Sequence, residues 1–372
     1  MTVETLVSER YAEGAQERQE ALCCPVDYDA SLLKMLPTEI IERDYGCGDP
    51  SRYVEEGDVV LDLGSGGGKI CYMAAQLVGE QGAVIGVDMT DEMLALARSY
   101  TSEMAEKLGS HRVDFKKGYI QDLALDVEAM ETFLKDNPVK DVASLQTFEQ
   151  WKTQQKSQSP LISDDSVSLV VSNCVLNLVA QSDRAQMLTE VFRVLKPGGR
   201  VAISDIVCDE LVPAHLQNDA ELWSGCISGA FQEKEFVQAF LDAGFVGVEY
   251  DKWEAQPWQT VEGIQFRSVT LVATKPATKG LVDGGQAVLY RGPFLTVEDD
   301  LGNRFTRGDR TAVSKRTFEL LTSGNYQKHF IGMEPETEVD HGCFCKPAGS
   351  LRPAAETKGG THAGGDGAAG CC

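Results

Sequence analysis

The sequence predicts an α/β fold built on a doubly wound, mostly parallel sheet, and three observations carry that prediction. Val59–Leu63 (VVLDL) is a short apolar run of the kind that fills a strand buried on both faces. Gly64, Gly66, Gly67 and Gly68 follow at once, and Ile70, Tyr72, Met73, Ala74, Ala75 and Leu77 then mark a helix. A second apolar run, Ala83–Val87 (AVIGV), ends in Asp88. Strand, glycine turn, helix and strand make the first unit of such a sheet, with a ligand at the strand's carboxyl end. Glycine brings the backbone close to that ligand without a Cβ in the way. An acidic side chain at Asp88 is placed to accept hydrogen bonds from both hydroxyls of a ribose.

The glycine spacing selects the nucleotide. A phosphate-binding loop needs Ser or Thr after its lysine, and Lys69 is followed by Ile70. A dinucleotide fingerprint needs GxGxxG, and Gly64-Ser65-Gly66-Gly67-Gly68-Lys69 lacks the last glycine. Asp62-Leu63-Gly64-Ser65-Gly66-Gly67-Gly68 fits every position of the Asp/Glu-x-Gly-x-Gly-x-Gly loop of S-adenosylmethionine methyltransferases.

Before the first strand, Val3, Leu6, Val7, Tyr11 and Ala15 fall at helical spacing, which predicts a helix over residues 2–21 that flanks or covers the domain behind it. A second short helix is expected through Leu32, Leu36, Ile40 and Ile41. Tyr45-Gly46-Cys47-Gly48-Asp49-Pro50 is then a loop. After Asp88, Met93, Leu94, Ala97 and Tyr100 mark another helix, and Arg112–Lys117 the third strand. Its exit loop offers Ile120 for packing on adenine and Gln121 or Asp122 for the amino group. The stretch 125–160 is long for a connection. It reads as a solvated insertion, and Val142, Leu145, Phe148 and Trp151 suggest a helix of its own. Ser166–Ser172 is the fourth strand, leading into Asn173-Cys174-Val175-Leu176-Asn177; Arg184–Leu195 is a helix and Val201–Asp205 the fifth strand. Val246–Trp253 and Ser268–Thr274 are expected to complete the sheet as an antiparallel pair. The domains expected are 1–278, a small α+β module at 279–345 with a strand at Gln286–Tyr290, a hairpin and a helix at Lys315–Leu321, and a disordered tail at 346–372 ending in Cys371-Cys372.

Composition bounds the function. At 372 residues and 42% hydrophobic, the chain has material for more than one domain with an ample core. A formal net charge of −23 argues against nucleic acid and anionic membranes as partners. No apolar run reaches the length of a membrane span. No secretory signal is visible, and the 11 cysteines, an odd number in a long chain, do not form a secreted disulfide framework. The expectation is a cytoplasmic, monomeric enzyme whose cysteines are ligands, redox groups or buried apolar residues.

Four cysteines fall on loops that this fold gathers near the cofactor: Cys47, Cys71, Cys174 and Cys226. None forms a close C-x₂₋₄-C pair with another, which disfavours zinc. A soft, three-coordinate thiophilic centre suits them better. Arsenic(III) on three thiolates keeps a lone pair and attacks a methyl sulfonium without a general base. A carbon or oxygen methylase of small metabolites and a non-enzymatic metalloid buffer stay open as rivals. The first needs a base near Cys174, where Asn173 and Asn177 are poor ones; the second is at odds with the intact cofactor loop.

The motifs ALCCPVDYD (Ala21–Asp29), ERDYGCGDP (Glu42–Pro50), GGKICY (Gly67–Tyr72), VVSNCVLNLV (Val170–Val179), LKPGGRVAISDI (Leu195–Ile206) and GCISGA (Gly225–Ala230) resemble those of the arsenite methyltransferases. The resemblance implies a Rossmann-like class I methyltransferase sheet and arsenic detoxification by successive methylation. It implies Asp62, Gly64, Ser65, Gly66 and Asp88 as S-adenosylmethionine contacts, with Met89, Ile120, Asn173 and Val175. It further implies that Cys174 and Cys226 grip arsenic, and that Cys47 and Cys71 supply a third thiolate and form a disulfide in turnover, reduced by thioredoxin or glutathione. On this reading, Cys47→Ser and Cys71→Ser alike block arsenite and spare monomethylated arsenic. Cys343, Cys345, Cys371 and Cys372 are similar to the cysteine-rich ends of some members, as an arsenite-capturing or a dispensable tail. Cys23, Cys24 and Cys208 carry no assignment.

Overall fold

The structure is a computed structural model that describes residues 3–16, 26–43, 45–217, 219, 222–223, 225–337 and 339–357. Two compact units divide the chain, Met1–Lys275 and Pro276–Cys372. The expectations for Cys23, Cys24, Cys371 and Cys372 lie outside the described residues.

In the first unit, strands β1 (Val59–Leu63), β2 (Ala83–Asp88), β3 (Val113–Lys117), β4 (Val167–Asn173) and β5 (Leu195–Cys208) pair in parallel. The short β6 (Phe231–Gln232) adds to the end of β5, and β7 (Val246–Trp253), β8 (Gln259–Val261) and β9 (Ile264–Thr274) follow. The main sheet order is β3-β2-β1-β4-β5-β9-β7, with β9 antiparallel to both neighbours. Chain direction across the sheet reverses between β1 and β4, so their carboxyl ends open one crevice. Leu63 pairs with both Val87 and Ser172, which fixes the exits of β1, β2 and β4 at one level. Apolar cores cover both faces, one around Leu63, Met187, Val191 and Phe236, the other around Val60, Tyr72, Met73 and Ala97.

Two strands run longer than their apolar cores indicate. β5 starts at Leu195 and carries Lys196-Pro197-Gly198-Gly199 within it, with the pairing to β4 shifted between Val167 and Leu169. β9 starts at Ile264 because Glu262 and Gly263 both take positive φ and close a two-residue hairpin onto β8.

Helix α1 (Val3–Gln16) covers the crevice: Ala15 is buried, Tyr11 meets Tyr45 edge-on, and Tyr45 donates its hydroxyl proton to the Gly14 carbonyl at 3.0 Å. The next helical stretch is broken by Pro37 into α2 (Ala30–Leu33) and α3 (Thr38–Glu42). Helices α4 (Lys69–Leu77), α5 (Asp91–Ser99) and α6 (Thr101–Leu108) precede β3. The insertion holds two helices, α7 (Val127–Asp136) and α8 (Val142–Gln158). Its apolar residues do not form a core face, since no residue of α8 is buried and Val142 is 72% exposed. Instead Phe133, Phe148 and Trp151 stack on one another, with Phe133 and Trp151 rings 4.6 Å apart. Lys156 of α8 pairs with Asp122, so that carboxylate is engaged by the insertion.

The second unit has a three-stranded antiparallel sheet of β10 (Ala287–Tyr290), β13 (Arg310–Ala312) and β14 (Phe330–Met333), with β10 central. A hairpin of β11 (Thr296–Glu298) and β12 (Arg304–Thr306) and a helix at Lys315–Leu321 join it around Tyr290, Phe305, Phe318 and Phe330. Residues 346–357, expected as the start of the disordered tail, are packed here: buried Arg352 pairs with Asp283 at 2.5 Å, and Leu351 bridges to Thr311. One arginine with a buried carboxylate partner orders a segment that lacks bulky apolar residues.

Candidate active site

Asp62, Gly64, Ser65, Gly66, Asp88, Met89, Ile120, Asn173 and Val175 all line one cleft, about 960 Å³ of empty space partly open to solvent, at the carboxyl ends of β1, β2 and β4, whereas Asp122, offered with Gln121 for the adenine amino group, pairs with Lys156 instead of lining it. Gly64, Gly66 and Gly68 hold positive φ, so the loop turns in a way that L side chains resist. Gly64 also has no room for a Cβ, which would meet Val175 at 2.5 Å. Asp88 accepts from the Gly66 N–H at 2.9 Å through one oxygen and from the Thr90 N–H at 2.8 Å through the other. It shapes the loop as well as facing the cleft, and burial pushes its carboxyl above the ordinary range. The Ser65 hydroxyl is buried with no hydrogen-bond partner among the described residues. An orphaned hydroxyl, two carboxylates (Asp62 and Asp88) and a tight glycine loop are the donor and acceptor set that an adenosyl amino acid sulfonium requires. Gln121 lines the same cleft.

Three of the four candidate cysteines come together. Cys47 and Cys174 are joined in a disulfide with Cα atoms 5.8 Å apart, and the Cys226 thiol donates to the Cys174 carbonyl at 3.3 Å. All three are buried in one apolar cluster with Leu178, Ile206 and Phe266. Cys174 also lines the cofactor cleft. Cys174 and Cys226 have φ of 60° and 63°, in the left-handed region that side chains other than glycine avoid. Such backbones persist where neighbours impose them, and they cluster at functional sites.

Cys71 is not brought to this group. It sits in the first turn of α4 within a different core cluster, that of Tyr72 and Met73, donates to Asp62 at 3.2 Å and packs on Gly86 of β2. Burial, and next the Asp62 carboxylate, push its thiol well above the ordinary value. The resemblance pairs Cys47 with Cys71; the disulfide in the structure pairs Cys47 with Cys174, and Cys71 keeps its proton. Cys208 is a core thiol whose pKa burial pushes up to about 12.

The sequence reading passed over two features. Val7 and Tyr11 of α1 and Tyr45 line the cleft together with the glycine loop; the helical spacing of residues 3–15 shows the helix but not which face meets the ligand. Asp205 is the other. It is fully buried, and an oxygen of it lies within 4.8 Å of the sulfurs of Cys47 and Cys174. Burial pushes its pKa up to about 7. Its two oxygens accept from Leu176 N–H, Asn177 N–H, Asn177 Nδ2 and Ile206 N–H at 2.7–3.3 Å. A carboxylate so occupied anchors the Cys174 turn and is a poor base for a substrate.

Residues 54–159 and 145–244 match a family described as a methyltransferase domain, and residues 277–362 match a domain of unknown function. The chain is 31% identical over 339 residues to an arsenite methyltransferase of Aquipseudomonas alcaligenes, covering 86% of each chain. Against the human arsenite methyltransferase it is 30% identical over 311 residues, covering 80% of this chain and 73% of the human one. A crystal structure of an arsenic(III) S-adenosylmethionine methyltransferase from Chlamydomonas reinhardtii superposes with a TM-score of 0.57 at 28% identity, over 86% of this chain and all of that one.

Proposed function

The chain belongs to the arsenite methyltransferases, and we propose that it methylates trivalent arsenic held by Cys47, Cys174 and Cys226. The observation behind this reading is the convergence of those three sulfur residues beside a cleft built for S-adenosylmethionine. When bound there, the cofactor supplies an electrophilic methyl group. Asp88 and Ser65 would hold its ribose and amino acid ends against the glycine loop, and Ile120 and Gln121 its adenine.

Thiolates are soft ligands that select arsenic(III). Each loses its proton on binding, so arsenic arrives with its lone pair available and no general base is required. Proximity within a dry pocket would then supply most of the rate. Each methyl accepted as a cation leaves arsenic two electrons more oxidised. Cys47 and Cys174 return those electrons by leaving as a disulfide, which restores trivalent arsenic. A thiol reductant, thioredoxin or glutathione, then reopens the pair. The products are mono- and dimethylated arsenic, with a third methylation left open, in a cytoplasmic, monomeric detoxifying enzyme.

Mass spectrometry of products from arsenite, S-adenosylmethionine and reductant tests the reading. Cys174→Ser and Cys226→Ser should abolish methylation of every trivalent species. Cys47→Ser should block arsenite and leave activity on monomethylated arsenic, which needs only two thiolates for binding, the added thiol reductant then returning the two electrons that Cys47 and Cys174 give in the parent. Equal loss of both activities in all three variants would refute that division.

A further inference from the structure

Asn173, which also lines the cofactor cleft, and Asn177 flank Cys174, and the side chain of each reaches a segment that carries another cysteine. Asn173 Oδ1 accepts from the backbone N–H groups of Cys47 at 2.9 Å and Gly48 at 3.0 Å. Its Nδ2 donates to the Gly48 carbonyl at 2.8 Å and the Tyr28 hydroxyl at 3.2 Å. The loop is cut to fit this amide, because a Cβ on Gly46 would stand 2.1 Å from Asn173 Nδ2. From β9, Ser268 donates its hydroxyl proton to the Cys47 carbonyl at 2.6 Å.

Asn177 works on the other side. Fully buried, it donates through Nδ2 to Asp205 at 2.7 Å and to the Ile206 carbonyl at 2.6 Å, and its Oδ1 accepts from Phe231 N–H at 3.3 Å. Arg184 Nη2 bridges the Asn177 carbonyl and the Gly229 carbonyl at 3.3 and 2.5 Å. A Cβ on Gly229 would lie 2.0 Å from that Asn177 carbonyl. Gly229 and Phe231 belong to the segment that carries Cys226.

We propose that Asn173 and Asn177 are positioning residues that register Cys47 and Cys226, respectively, against Cys174. The sharing of one arsenic that this serves rests on the arsenite reading; the register itself does not. Cys47 and Cys174 are 127 residues apart, so only tertiary contacts set their mutual effective concentration. An amide one residue from Cys174 that grips the Cys47 N–H is the most direct such contact.

The test uses the full chain equilibrated in glutathione redox buffers, with the Cys47–Cys174 disulfide fraction read by mass spectrometry after alkylation. Asn173→Ala and Gly46→Ala should each lower the equilibrium constant for that disulfide by about tenfold, while Asn177→Ala stays close to the parent. Gly46→Ala disturbs the clamp from the loop side and leaves the Asn173 side chain in the cleft. An unchanged constant in both Asn173→Ala and Gly46→Ala would overturn the assignment. So would weakened cofactor affinity in Asn173→Ala without loss of the disulfide. In turnover, Asn173→Ala should reduce activity on arsenite about tenfold more than on monomethylated arsenic. Asn177→Ala and Gly229→Ala should reduce both alike, and the reverse pattern would overturn the pairing of asparagine to cysteine. The redox arm contains no arsenic, so it answers even if the parent chain methylates none.

Discussion

The left-handed backbones at Cys174 and Cys226 mean that each sulfur is placed at a conformational cost of about 1–2 kcal/mol. Cys226→Gly should therefore be more stable than Cys226→Ala by about 1 kcal/mol in urea unfolding of the reduced protein, although both lack the thiol. Equal stabilities would mean that the site imposes no such strain. Asp88→Ala should weaken S-adenosylmethionine binding by about 1.5–3 kcal/mol in calorimetry, the worth of hydrogen bonds to a charged group, while arsenite binding survives. The raised thiol pKa values also fix reactivity. Cys71 and Cys208 stay protonated in the fold, where their unfolded counterparts ionise near the ordinary value of 9.0. Below that pH they contribute no pH dependence; above it the unfolded state binds fewer protons and stability falls. At pH 8, iodoacetamide should label exposed Cys343 and leave Cys71 and Cys208 untouched in the native protein.

At the scale of elements, α1 lines the cleft with Val7 and Tyr11, and the pairing of β1 with β2 and β4 is made without it. Deleting residues 1–16 should weaken cofactor binding about tenfold with little change in the main unfolding transition of the first unit; a collapse of the fold would show that the helix is core and not cover. The glycine loop and the parallel strands were legible from sequence because buried strands read as continuous apolar runs and the turn leaves few residue choices. Lys315–Leu321 and Val246–Trp253 were legible for the same kind of reason, an unbroken local period. The two helices of the insertion were half legible: α8 carries apolar residues at helical spacing, but they serve an aromatic stack and not a core. The ordering of 346–357 by Arg352 depends on Asp283, far away in sequence, and no local pattern signals it. Partner choice among cysteines is illegible in the same way. Loops from four places in the chain look alike as candidates, and long-range hydrogen bonds such as those of Asn173, Asn177, Asp205 and Ser268 hold the three that meet.

For the whole molecule, a strand-end cleft meets a buried trio of sulfur residues at Cys174, which belongs to both. With arsenic held as proposed, catalysis would depend on thiolate availability, so the pH profile should rise with pH and lack the bell of an acid–base pair. A descending limb between pH 6 and 8 would point to a protonated group such as Asp205 acting in the reaction. On the proposed reading, Cys47, Cys174 and Cys226, and not Cys71, hold arsenic. X-ray absorption at the arsenic edge of the reduced, arsenite-loaded protein measures the sulfur neighbours directly. The parent and Cys71→Ser should both show three sulfurs on arsenic, and Cys47→Ser and Cys226→Ser two. Loss of a sulfur in Cys71→Ser, with three retained in Cys47→Ser, would contradict the account.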